Sequence, residues 1–138
     1  PDNRRTYPWG HEDQELIEFH KQIIRIHKQN PEMKRGSLIY LGSDYNFLAY
    51  GRFTYMEQSV ILINNNDTEM TREISVWEAG IPKETILKQL ILTSEKGFTV
   101  EERYYPVKHG KLSVALPPKA GLVLKHKKKE KKQFPEFQ

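Results

Sequence analysis

Cysteine is absent from the 138 residues, which excludes disulfide staples and thiolate metal sites. That absence suits a reducing compartment, so a cytoplasmic location is expected. Long apolar runs are also missing. No stretch approaches the roughly 20 residues that a membrane helix needs, so no membrane partner is expected. Residues 1–15 are polar and lack the apolar centre of a signal peptide. There is no glycine-rich phosphate loop and no Gly-x-Ser-x-Gly nucleophile elbow. His11, His20, His27, His109 and His126 show no His-Glu-x-x-His spacing. No metal site and no cofactor are therefore expected. Hydrophobic residues make up 37% of the chain, enough for one lean core. The six Phe, seven Tyr and two Trp help, because each buries a large area.

The formal net charge is +4, but it is concentrated at one end. Residues 125–132 read Lys-His-Lys-Lys-Lys-Glu-Lys-Lys, and the remainder is close to neutral. A short basic run of this kind is read as solvated and mobile. Nucleic acid or another polyanion is its competing partner, and no such binding is expected of the rest of the chain.

Residues 1–10 hold two prolines and a glycine without periodicity, and read as an irregular lead-in. Residues 12–28 follow a helical period. Leu16, Ile17, Phe19, His20, Ile23, Ile24, Ile26 and His27 fall on one half of the wheel, opposite Glu18, Lys21, Gln22, Arg25 and Lys28. Glu12, Asp13 and Glu15 at the start, and Arg25, His27 and Lys28 at the end, suit the helix dipole. Asn30-Pro31 is expected to stop the helix. Such a wide apolar face must dock on something, and its width implies a partner larger than this chain supplies.

After Gly36 the pattern becomes short apolar runs. They are Leu38–Leu41, Phe47–Phe53, Ser59–Ile63, Arg72–Trp77, Thr85–Leu92, Phe98–Tyr105, Lys111–Leu116 and Gly121–Lys125. Turn residues at Gly42-Ser43-Asp44, Asn64–Asp67, Gly80-Ile81-Pro82, Lys108-His109-Gly110 and Pro117-Pro118 separate them. The spacing predicts a mainly β fold: an antiparallel β-sandwich preceded by one amphipathic α-helix. Thr85–Leu92 also fits a helical period, and its shortness favours a strand.

Three stretches together resemble the C-terminal end of a glycoside hydrolase family 13 (α-amylase family) enzyme. The nearest group is that of neopullulanase, cyclomaltodextrinase and maltogenic amylase. Pro1-Asp2-Asn3-Arg4-Arg5 with Pro8-Trp9 resembles the segment after the eighth barrel strand. Phe19 to Pro31, with Gly36 beyond, resembles the last barrel helix. Val60-Ile61-Leu62-Ile63-Asn64-Asn65 and Leu116 to Leu124 resemble the family's C-terminal β domain. His20 and His27 depart from the family's usual tyrosine and arginine, which implies altered contacts between helix and barrel.

The resemblance implies that residues 1–35 end a (β/α)8 barrel, 36–125 form the β-sandwich domain, and 126–138 form a basic tail. It implies that Pro1 is a cut inside a longer protein. The three catalytic carboxylates would then precede Pro1, leaving no catalytic residue here. Retaining glycosidases need two carboxyl groups about 5–5.5 Å apart; Glu12-Asp13-Glu15 and Glu101-Glu102 read instead as exposed charge. Arg4 matches a family arginine beside the sugar cleft, so in the whole enzyme it is the candidate substrate contact. Asp2 and Arg5 read as structural.

Exposed aromatics carry a competing reading, because sugars stack on them. Tyr7, Trp9, Tyr45, Tyr55, Trp77, Tyr104 and Tyr105 are the candidates, most of them expected in or near the core. Tyr104 and Tyr105 are singled out for a surface sugar contact, since adjacent strand residues face opposite ways. Three functions stand side by side. One is a non-catalytic domain of an α-glucan hydrolase, whose partners are its own barrel and, through it, the glucan. Another is a carbohydrate-binding module, and the third a small protein with a polyanion-binding tail. Self-association through the helix is also open.

Overall fold

In a computed structural model, residues 14–126 are described. α1 (Gln14–Gln29) forms where the periodicity places it. Pro31 with Asn30 stops α1 at Gln29, as the sequence predicts. Pro31 then opens a second short helix, α2 (Pro31–Arg35), at a position where its missing N–H has no helical partner to lose. Asn30 makes the corner. Its side-chain amide donates to the Ile26 carbonyl at 2.6 Å, which satisfies an open carbonyl in the last turn of α1.

Nine strands follow: β1 (Ser37–Asp44), β2 (Phe47–Phe53), β3 (Gln58–Asn64), β4 (Met70–Ser75), β5 (Thr85–Ser94), β6 (Gly97–Thr99), β7 (Tyr104–Lys108), β8 (Lys111–Leu116) and β9 (Ala120–His126). A 3-10 turn, Val76–Ala79, lies between β4 and β5. The strands pair antiparallel along one path, β1-β2-β3-β9-β5-β7-β8-β4, with β6 on β5. The path curls so that both halves face one core. Phe47, Ala49, Val60, Leu62, Leu122 and Leu124 come from β2, β3 and β9; Ile74, Val107, Leu112, Val114 and Leu116 come from β4, β7 and β8. Alternation along β8 and β9 buries every second residue, as a sheet with one inward face requires.

The Thr85–Leu92 run is a strand, and β5 is the longest of the nine. Two boundaries differ from the sequence reading. Gly42-Ser43-Asp44 is not a turn. Gly42 marks a bulge in β1, and the reversal comes at Tyr45-Asn46, both with positive φ of 46° and 59°. The Phe98–Tyr105 run breaks into β6 and β7 around an exposed segment, Val100–Arg103. The last strand extends one residue past Lys125, and His126 is buried against Gln58 at 2.8 Å.

The outward face of the first half of the sheet carries α1. Ile61, Val123 and Ile91 are register neighbours across β3, β9 and β5, on the side opposite the core. Ile61 is 9% and Ile91 1% exposed although both point outward. Phe19 of α1 meets Phe98 of β6 with ring centroids 5.7 Å apart. At the other end Glu32 of α2 meets Ser59 of β3. The helical pair therefore runs diagonally over β5, β9 and β3.

Candidate functional site

The apolar half-wheel of α1 divides into two arcs. With Leu16 at zero, Ile26 and Phe19 lie at about 280° and 300°. Ile26 is buried and Phe19 is half-buried. This narrow arc is the one the sheet uses. The rest of the half-wheel runs from about 340° through zero to about 100°. Ile23 there is 38% and Ile24 53% exposed. His20 and His27 lie on the same arc and are exposed. Among the described side chains of this arc Ile17 is half-buried, while His20, Ile23, Ile24 and His27 are exposed, so the sheet covers one edge of the apolar face and leaves these four outward.

A buried polar joint fixes the C-terminal end of the helical pair. Lys125 Nζ lies 2.6 Å from Asn30 Oδ1, 3.0 Å from Glu57 Oε1 and 3.2 Å from Glu32 Oε2. Glu32 is fully buried and accepts a hydrogen bond from the Ser59 hydroxyl at 2.5 Å. The joint thus ties the α1–α2 corner to β3, to the β2–β3 loop and to the last strand. Lys125 is a correction to the sequence reading, which counted it in a solvated basic run. Its side chain is only 14% exposed. The rest of that run, from Lys127 onward, lies outside the described residues. Neither Glu32 nor Glu57 was singled out from sequence. Their partner is 93 and 68 residues away, and no local pattern marks such a meeting.

The tyrosines separate as strand alternation requires. Tyr104 is 60% exposed on the outer face of β7. Tyr105 points inward, is half-buried against the core, and donates from its hydroxyl to Gln89 Oε1 at 3.0 Å. Burial pushes the Tyr105 phenol above its ordinary range, with Arg103 pulling weakly the other way. The expectation that most candidate aromatics are covered fails. Tyr45, Tyr55 and Trp77 are 79%, 92% and 47% exposed. Tyr45 and Tyr55 stand in hairpin connections, where an inward direction is not available. Trp77 lies against Gly110, with Lys83 Nζ 5.5 Å from its ring centroid.

Arg4, Asp2, Arg5, Tyr7, Trp9 and the Glu12-Asp13 pair lie outside the described residues, and so does the side chain of Glu15. Among the described residues no three His, Asp or Glu side chains gather as a metal site. No helix among them is long and apolar enough to cross a membrane.

No family model matches the chain. It is 40% identical over 68 residues, 49% of its length, to an amylopullulanase of Thermoanaerobacter thermohydrosulfuricus, and spans 4% of that protein. Over 90 residues, 64% of its length, it is 33% identical to a cyclomaltodextrinase of Thermoanaerobacter pseudethanolicus, of which it spans 15%. The acarbose-complexed α-amylase of Geobacillus thermoleovorans superposes with a TM-score of 0.76 at 22% identity, over 94% of this chain and 26% of that one. The fold is that of the amylase C-terminal β domain with a helix at its start. The resemblance to glycoside hydrolase family 13 read from the residues is therefore borne out by both sequence relatives and structural neighbours. The chain corresponds to a small part of each.

Proposed function

We propose that this chain is the non-catalytic C-terminal part of an α-glucan hydrolase. The whole enzyme would cleave α-1,4 glucosidic bonds with carboxylates lying before Pro1. The β domain would stabilise the catalytic barrel through α1. The observation that carries this reading is the divided apolar face of α1. The sheet occupies the arc of Phe19 and Ile26, while Ile23 and Ile24 stand 38% and 53% exposed. A helix with two apolar arcs belongs between two bodies, and the chain supplies one of them. The amylopullulanase and cyclomaltodextrinase relatives, of which the chain is a small part, support the identity of the other. Arg4 is the residue proposed to reach the sugar cleft in the whole enzyme.

The test is co-expression of this chain with the region encoded upstream of Pro1. The wild-type chain is expected to co-purify with it and raise its resistance to heat. The Ile23→Asp/Ile24→Asp variant is expected to lose co-purification while keeping its own β structure. The chain alone is expected to release no reducing sugar from maltodextrin, pullulan or cyclodextrin. Hydrolysis by the pure chain, or undiminished co-purification of the aspartate variant, would refute the reading.

A further inference from the structure

On the outer face of β5 and β7, where Lys88 is the register neighbour of Lys125 in β9, two cross-strand pairs stand in line. Lys88 faces Tyr104 and Ile86 faces Pro106 in the register. Directly opposed side chains on one face lie close enough to touch. Three of the four residues are markedly exposed: Ile86 at 57%, Tyr104 at 60%, and Pro106. They form an apolar strip about 7 Å long, two residues of strand. Its rim is charged. Glu102 accepts a hydrogen bond from the Tyr104 hydroxyl at 3.1 Å, and its other oxygen lies 2.9 Å from Lys88 Nζ. The tyrosine ring is thus held at its far end by a carboxylate that is itself held by the neighbouring lysine.

That arrangement has the chemistry of a sugar platform. A pyranose presents an apolar C–H face that lies on an aromatic ring, and an equatorial rim of hydroxyls that both donate and accept. The Tyr104 ring supplies the surface, Glu102 the acceptor and Lys88 the donor. Fixing the ring beforehand lowers the ordering cost of binding. Ile86 and Pro106 extend the flat surface for a second sugar. A peptide helix would need a groove, and a phosphate would meet Glu102. We propose that Tyr104, Glu102, Lys88, Ile86 and Pro106 form a surface site for the α-glucan chain. The choice of glucan rests on the proposed function above; the geometry of the platform does not.

The experiment is a titration of the isotopically labelled 138-residue chain with maltoheptaose, followed by backbone amide shifts. Saturable binding in the millimolar range is expected, with shifts clustered at residues 85–89 and 101–106. Tyr104→Ala is expected to weaken binding about tenfold, the effect of losing one stacked ring. Tyr104→Phe keeps the ring and is expected to stay within about threefold. Tyr55→Ala, at a still more exposed tyrosine elsewhere, is expected to bind as wild type. Unchanged amide positions across β3 and β9 report that each variant is folded. If Tyr104→Ala is not folded, Glu102→Gln replaces it, with a loss of about threefold expected because the ring is no longer anchored. No shift at about 20 mM sugar, shifts confined to other strands, or full binding by the folded Tyr104 or Glu102 variant would overturn the site. Barrel co-purification is read separately, so a chain that docks but does not bind sugar sinks only the platform. A chain that binds sugar but does not dock sinks only the domain role.

Discussion

Lys125 sits among oxygens from three segments of the chain: Asn30, Glu32 and Glu57. A cation taken out of water is tolerable only with such company, and the same is true of the fully buried Glu32 carboxylate. Removing one partner strands the other. Lys125→Met is therefore expected to lower unfolding free energy by about 3 kcal/mol, read from urea unfolding. Adding Glu32→Leu to that variant should restore much of the loss, because no buried charge remains uncompensated. Equal losses for the single and double variants would show that the joint acts by shape alone. Tyr105 gives a pH dependence. Its phenol titrates higher in the folded chain than in the unfolded one. Its contribution is therefore fully present below pH about 10, the ordinary phenol value. It is lost as pH rises through the higher folded value. Tyr105→Phe should lose about 1 kcal/mol at pH 7 with its bond to Gln89, yet show a shallower decline above pH 10.

At the scale of elements, α1 and the sheet differ in what holds them. β3 and β9 are paired on both sides, and their inner residues are in the core. α1 rests on Phe19 against Phe98, on Ile26, and on the joint beyond its C-terminus. Amide exchange in the isolated chain should therefore be fastest in the first two turns of α1 and slowest in β3 and β9. Phe98→Ala should speed α1 further without touching β9. Both helix and strands were legible in the sequence because their periods differ, 3.6 against 2, and the apolar residues kept to them. The β1–β2 turn was not. Gly42-Ser43-Asp44 has turn chemistry, yet Gly42 is used for a bulge, and the reversal falls on Tyr45-Asn46, where tyrosine takes a left-handed conformation that its type disfavours. The exposed Tyr104 could be read from strand alternation, but its anchoring by Glu102 and Lys88 needed the β5–β7 register.

For the whole molecule, six of the exposed large apolar residues share the outward side of α1 and of the first three strands. Ile23 and Ile24 stand on α1, and Leu38, Tyr40, Leu48 and Ile63 lie beside it on the outward face of β1, β2 and β3. A protein that works alone rarely leaves so much apolar surface contiguous. The helical periodicity announced the first part of this patch, because its apolar half-wheel was too wide for one partner. The second part was hidden, since the run of apolar residues around Leu48 and Ile63 does not mark which side of the sheet each one takes. In the isolated 138-residue chain, a second copy can cover the patch. Sedimentation of the 138-residue chain should therefore show reversible association in the range of tens to hundreds of micromolar, roughly the strength expected of a weak, unselected interface. Ile24→Asp places a charge in the middle of that contact and should return the chain to monomer at the same concentration. If the aspartate variant associates as strongly as the wild type, another surface is responsible, and the outward arc of α1 is not the adhesive face.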